Sequence, residues 1–189
     1  MLFRSPMFDS VLLTPVPSTH EKFELAHSML DAILDLSDNP YGLVHSCDTH
    51  LGNVGFTRNL LVKIIDLDMT YPHVLLKTIL ERKNCTSDAD CWTGISEICC
   101  STCNTNNGTC TFLMMFQDLH VVCESLFPIM FRRLNILEPN TTCLRNSVRQ
   151  LGVFCSKLPV AYTVKDLKRQ ILRVKTHLRS IEINSTENC

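Results

Sequence analysis

Eleven of the 189 residues are cysteine, and seven of the eleven fall between Cys85 and Cys123. No other feature constrains the chain as much, because thiols packed this densely either bind metal or pair as disulfides, and the two outcomes belong to different compartments. Cys100-Ser101-Thr102-Cys103 has the C-x-x-C spacing of zinc ligands and of thiol redox motifs. A zinc site needs a second close pair, and Cys91/Cys110 or Cys85/Cys99 are poorly spaced for one. Four N-x-[ST] sequons, at Asn84, Asn107, Asn140 and Asn184, point instead to an oxidising compartment, and two of them lie inside the cluster. The expectation is a disulfide-stapled chain of the secretory-pathway lumen (endoplasmic reticulum or Golgi), or a secreted one. Its disulfide candidates are Cys85, Cys91, Cys99, Cys100, Cys103, Cys110, Cys123, Cys143 and Cys155, and the four asparagines are glycosylation candidates. The odd count leaves a thiol, for which Cys47 and Cys189 are the candidates.

Composition is otherwise ordinary: 45% hydrophobic, 20% charged, net charge −1. That balance argues against a nucleic-acid partner, which calls for an excess of Lys and Arg. The length fits one domain. Residues 1–20 hold Arg4, Asp9 and three prolines, and their longest apolar run, Val11-Leu12-Leu13, is too short for a signal-peptide core or a membrane span. A luminal chain without such a leader is expected to be a piece of a longer protein, any membrane anchor lying outside it, or to enter by an unusual route.

Helical spacing of Phe23, Ala26, Leu30, Ile33 and Leu34 predicts a helix over 21–36, opened by Ser18 and Glu21 as a capping box and stopped by Asp38-Asn39-Pro40. Gly42-Leu43-Val44 and Leu60–Ile65 are short apolar stretches, the second a strand ending on Asp66, with a turn at 57–59 between them. A helix over 73–82 would place Val74, Leu75 and Ile79 on its apolar side. Residues 83–111 lack apolar periodicity and read as a loop-rich, cross-linked insert. Three later stripes predict helices: Phe116 to Met130, Leu144 to Leu158, and Val164 to Leu178, the last opened by Thr163 and Asp166.

Chemistry concentrates in Cys47-Asp48-Thr49-His50-Leu51-Gly52-Asn53 and Lys63-Ile64-Ile65-Asp66-Leu67-Asp68. Carboxylates and a carboxamide on loops beside short strands suit Mg²⁺ or Mn²⁺, which take oxygen ligands together with phosphates and water. The same residues are also the default occupants of turns, and spacing alone leaves both readings open. Asp88 and Asp90 hint at calcium, but the EF-hand spacing is absent and a solvated acidic turn serves as well. Lys165, Lys168, Arg169, Arg173, Lys175 and Arg179 on the last helix make either a face for anionic membrane or sulfated glycans or a solvated surface.

Asp48 with Asn53 five residues on, and Asp66 eighteen residues on, has the spacing of a protein-kinase catalytic loop followed by the metal-binding aspartate of the DFG motif. Followed by Asn84-Cys85-Thr86-Ser87-Asp88-Ala89-Asp90-Cys91, Cys99, Cys103 and Cys110, the pattern resembles the divergent protein kinase domain family of the secretory pathway, from about Phe23 to about Leu158. The resemblance implies a mainly α fold with a small β-hairpin, the C-lobe of a protein kinase carrying a disulfide-rich insert and lacking its N-lobe. It divides the chain into an irregular lead-in (1–20), a core with catalytic and metal loops (21–82), the cysteine-rich insert (83–111) and a C-terminal helical part of the same domain (112–189). Asp48 would be the catalytic base; Asn53 and Asp66 would hold Mg or Mn with ATP, and Asp68, at the place of the DFG glycine, would add a carboxylate or simply end a strand. Partners would be ATP and a hydroxyl acceptor, or a luminal or extracellular protein.

The departures are equally specific. Ser46-Cys47 replaces the His-Arg pair before the catalytic aspartate, so the arginine that normally meets a phosphorylated activation loop is missing. His50 stands where many kinases place a lysine near the γ-phosphate, as a cation or as an ordinary loop histidine. Neither a glycine-rich phosphate loop nor a VAIK-like lysine precedes Glu21. The expected enzyme is therefore active only in a longer parent, and the alternative is a non-catalytic luminal or secreted pseudokinase that binds partners.

Overall fold

The computed structural model describes residues 18–57, 59–95, 99–114, 118–132, 141–161 and 163–187. Among these residues the architecture is mainly helical with three two-stranded antiparallel sheets. Helix α1 (Thr19–Ser37) begins where the Glu21 N–H donates to the Ser18 hydroxyl and Glu21 accepts from the Ser18 N–H, satisfying two donors that the first turn leaves open. Strand β1 (Val44–Ser46) pairs with β4 (Thr70–Pro72), and β2 (Val54–Phe56) pairs with β3 (Val62–Ile64). The third strand starts later than the sequence implies. The turn after Thr57 reaches Leu60, which adopts a left-handed φ of 59°, and Leu61 is left exposed.

Helix α2 (His73–Glu81) buries Leu76 and Leu80, not the side expected from sequence: Val74 is 64% and Leu75 44% exposed. The buried side is chosen by the insert beneath it. Leu76 and Leu80 pack with Cys47, Cys85, Cys91, Cys99 and Cys110 into a second, smaller core. That insert is more regular than a loop. It contains a hairpin of β5 (Ser101–Asn104) and β6 (Thr109–Met114), turned at Gly108, whose φ of 67° suits glycine. Disulfides Cys85–Cys103 and Cys91–Cys110 pin the hairpin to the segment before it.

Helices α3 (Asp118–Val121) and α4 (Phe127–Arg132) run on through a π-turn over Val122–Leu126, where the Phe127 N–H reaches back to the Val122 carbonyl. Pro128 explains the widened ladder, since it offers no N–H and its ring crowds the carbonyl four residues earlier. Helices α5 (Thr141–Ser156) and α6 (Val164–Glu187) complete the main core with α1, and Cys123–Cys155 joins the π-turn to α5. Phe23, Leu30, Phe127, Phe131, Leu151, Val174 and Leu178 are fully buried there, with the Phe23 and Phe131 rings 5.0 Å apart. No helix among the described residues is long and apolar enough to cross a membrane.

Candidate catalytic and metal site

Two strand pairings create the site. The loop after β1 carries Asp48 to Asn53 into β2, and the loop after β3 carries Asp66 to Asp68 into β4. Because Ser46 lies opposite Thr70 and Val54 opposite Ile64, both loops emerge on the same end of the two sheets. The Ile65 N–H donates to the Asn53 carbonyl at 3.0 Å, so Asp66 follows one residue after a direct backbone link to the first loop. Cys47 repeats the connection, donating its N–H to the Met69 carbonyl at 2.8 Å.

Within the first loop, Asn53 Nδ2 donates to the Asp48 carboxylate at 2.8 Å and to the Asp48 carbonyl at 3.0 Å. The Asn53 amide therefore fixes Asp48 and turns its own oxygen away as a spare acceptor. His50 accepts the Gly52 N–H on Nδ1 at 2.9 Å, which leaves its ring proton on Nε2, 3.4 Å from Asp48 Oδ2. A Cβ on Gly52 would stand 2.7 Å from this ring, so a side chain there would displace His50. Asp66 Oδ1 accepts the Asp68 N–H at 3.3 Å, and the Asp68 acidity is weakened first by its hydrogen bond to the Asp66 side chain, then by the Asp66 charge and, more distantly, by Asp48. Three carboxylates thus repel one another across neighbouring loops, an arrangement relieved by a cation. Their oxygens are not all within 4.8 Å of one another, so a metal would draw them together.

Asp118 was not legible as a site residue. It is buried at the start of α3 and accepts the Ser46 N–H on both oxygens, at 3.2 and 3.1 Å, with the Thr49 hydroxyl 3.0 Å away. Burial raises its carboxyl to about 6 against those hydrogen bonds. Asp48, Thr49, His50, Asn53 and Asp118 line one cavity of about 20 Å³, floored by Met29, Ile33 and Val122. That is room for about one water. A larger groove of about 640 Å³ lies between Pro128 and Phe131 on one side and Arg145, Arg149 and Val153 on the other, and none of its lining belongs to the site.

Behind β1, the buried His45 Nε2 stands 2.9 Å from His73 Nδ1 at the start of α2. Burial, with a smaller push from His73, lowers His45 to about 4. A histidine that resists protonation only when folded makes stability fall as pH drops from 6.5 towards 4, by about 3 kcal/mol in full. Asp118 acts oppositely: its raised folded value makes stability rise as pH drops from 6 towards 4. His45→Phe should therefore gain on the wild type by about 3 kcal/mol between pH 6.5 and 4. Guanidinium midpoints at the two pH values measure this, and an unchanged difference would refute the assignment to His45.

The other candidate residues have structural partners. Asp90 Oδ2 accepts the Thr86 and Ser87 N–H groups, and Asp88 accepts the Cys103 N–H at 2.6 Å; both close the turn rather than leaving a calcium cage. Cys85, Cys91 and Cys103 approach closely enough for a metal but are spent in disulfides. Cys47, expected as a thiol, is instead bonded to Cys99, because the β1–β4 pairing presses its loop against the insert. Cys143 and Cys189 have no described side chains, and Cys100 is half-buried beside Cys99. On α6, Lys175 pairs with Asp31, Lys168 with Asp38 and Arg169 with Asp166, while Arg173 lies over the Phe154 ring, which favours the solvated-surface reading. Asn84, Asn107 and Asn184 are exposed, and Asn107 Oδ1 accepts the Thr109 hydroxyl of its own sequon at 2.7 Å; Asn140 lies outside the described residues.

A family model described as the protein-kinase domain of FAM69 matches residues 9–158. The chain belongs to that family. No solved structure matches it. As a FAM69-family domain it is a kinase-like, disulfide-rich protein, and ATP with a divalent metal is the general chemistry of protein kinases. The four disulfides among the described residues are compatible with the secretory pathway or the extracellular space.

Proposed function

We propose that this chain is the C-lobe of a divergent secretory-pathway protein kinase, transferring phosphate from ATP to a hydroxyl acceptor when a nucleotide-holding lobe is supplied. The observation that carries the reading is the pairing of β1 with β4 and β2 with β3, which sets the Asp48–Asn53 loop beside the Asp66–Asp68 loop. In this reading Asp48 orients the acceptor hydroxyl and takes its proton, held in aim by Asn53 and His50. The Asn53 amide oxygen and the Asp66 carboxylate hold Mg²⁺ or Mn²⁺, and Asp68 adds a third oxygen donor. The metal's role when bound is to neutralise charge on the transferring phosphoryl group. Residues 21–82 then form the catalytic core, 83–111 the insert and 112–189 its helical support. Disulfides and exposed sequons support a luminal or secreted location.

The phosphate-covering glycine loop and the strand lysine that orients the phosphates are not recognisable in this sequence, and positioning supplies most of the catalysis of phosphoryl transfer. The isolated chain is therefore expected to bind Mg-ATP weakly or not at all and to show no measurable transfer. Calorimetric titration with Mg²⁺ or Mn²⁺ and ATP tests this, with Asp66→Ala expected to remove whatever affinity remains. Micromolar affinity that survives Asp66→Ala would refute the metal site. A second reading, a pseudokinase that only binds partners, is favoured by the loss of the His-Arg pair at Ser46-Cys47. A two-lobed protein with an intact site and no phosphotransfer would decide for it.

A further inference from the structure

The residue immediately before Asp48 carries more than its sequence position explains. In kinases that place belongs to an arginine, and phosphorylation of the activation loop orders that loop through new arginine–phosphate pairs. Here Cys47 occupies it, completely buried, and its side chain is bonded to Cys99, which is 1% exposed and 52 residues away. Cys99 lies in the insert, which the chain reaches from the Asp66–Asp68 loop through β4 and α2. The insert is a firm anchor: Cys85–Cys103, Cys91–Cys110 and the β5–β6 pairing hold it together, and its cysteines pack against Leu76 and Leu80.

The backbone on either side of Asp48 is fastened in three directions. Ser46 and Thr49 are held by Asp118 from the helical core, the Cys47 N–H by the Met69 carbonyl beyond the metal loop, and the Cys47 side chain by the insert. Only the last of these is covalent, and it joins the loop to the insert. We propose that the Cys47–Cys99 disulfide is a positioning device for Asp48, a covalent substitute for the arginine–phosphate contact, so that the loop is held without any phosphorylation of the insert. The inference rests on the kinase reading of Asp48. An ionic contact appears and disappears with the phosphate, whereas this link persists as long as the compartment stays oxidising.

Hydrogen–deuterium exchange on the whole chain tests it without nucleotide. In Cys47→Ser/Cys99→Ser, amides of 46–53 are expected to exchange at least about tenfold faster through local opening, while α1 and the β5–β6 hairpin keep their protection. Cys123→Ser/Cys155→Ser, which removes a cross-link elsewhere, should leave 46–53 unchanged. Unchanged protection of 46–53 in the first variant overturns the proposal, as does loosening spread evenly over the chain, which marks a general staple. Should the serine variant fail to fold, Cys47→Ala/Cys99→Val keeps apolar volume and is read the same way. Failure of both to fold also overturns a positioning role. Metal-nucleotide affinity that survives Asp66→Ala refutes the metal site separately, leaving the exchange result to judge the tether alone.

Discussion

Asp118→Ala should cost the folded chain roughly 3 kcal/mol at neutral pH and release the backbone around Asp48. The residue is buried, and both carboxylate oxygens are used by Ser46 and Thr49. Truncation leaves the buried Ser46 N–H without an acceptor and opens space beside a cavity that already has room for a water. Each stranded donor costs about 1–3 kcal/mol, and relief of the buried negative charge offsets part of that. Asn keeps the volume yet points an amide N–H₂ where a second acceptor is needed, so Asp118→Asn should fall between wild type and Ala. Urea unfolding gives the stability change, and exchange at 46–53 reports the loop. A loss under about 1 kcal/mol with an unchanged loop would show that Asp118 is merely tolerated there.

This residue also marks where sequence reading ends. Asp48 and Asn53 stand five residues apart in one loop, so their partnership leaves a local trace. Asp118 lies 72 residues beyond Ser46, and nothing near it repeats a motif. The one available signal was a charge between Phe116 and Leu119 within an apolar stripe, since an acid on a buried face needs donors. Helices α1, α5 and α6 were legible because each buries one continuous stripe against the same core, and the burial of Leu144, Val148, Leu151, Leu167, Ile171, Val174 and Leu178 follows that stripe. Helix α2 was legible as a helix, but its buried side depends on an insert whose core is largely sulfur. Periodicity rules weigh Val74 and Leu75 and have no way to see that Cys85, Cys91 and Cys99 gather under Leu76 and Leu80. The same blindness misassigned Cys47: the odd cysteine count demanded a thiol, and only the β1–β4 pairing brings this one to Cys99.

Complete reduction of the disulfides should unfold the insert and take much of the remaining fold with it. The closed loops span sequence separations of 52, 18, 19 and 32 residues. Loops of these lengths restrict the unfolded chain by roughly 3–4 kcal/mol each in the chain-entropy picture. Taken together, that is comparable with the upper end of the roughly 5–15 kcal/mol that a domain of this kind has in reserve. The loss is not uniform. The main core has Phe23, Phe127 and Phe131 with three long helices, and Cys123–Cys155 is its single cross-link among the described residues. The insert rests on three cross-links and few apolar side chains, so its reduced form has little to bury in exchange for ordering its backbone. Trp92, the chain's one tryptophan, sits in the insert and is 49% exposed, which makes its fluorescence a local probe beside far-UV circular dichroism of the helices. After denaturation with tris(2-carboxyethyl)phosphine and dilution into reducing buffer, the native Trp92 signal is expected not to return. Helical ellipticity should recover only in part, with a melting midpoint at least about 10 °C lower. Refolding under oxidising conditions should restore both signals together. A reduced chain that regains the oxidised fluorescence and melting curve would show that the sulfur bonds are incidental to the fold, and the case for an oxidising compartment would then stand on the sequons alone.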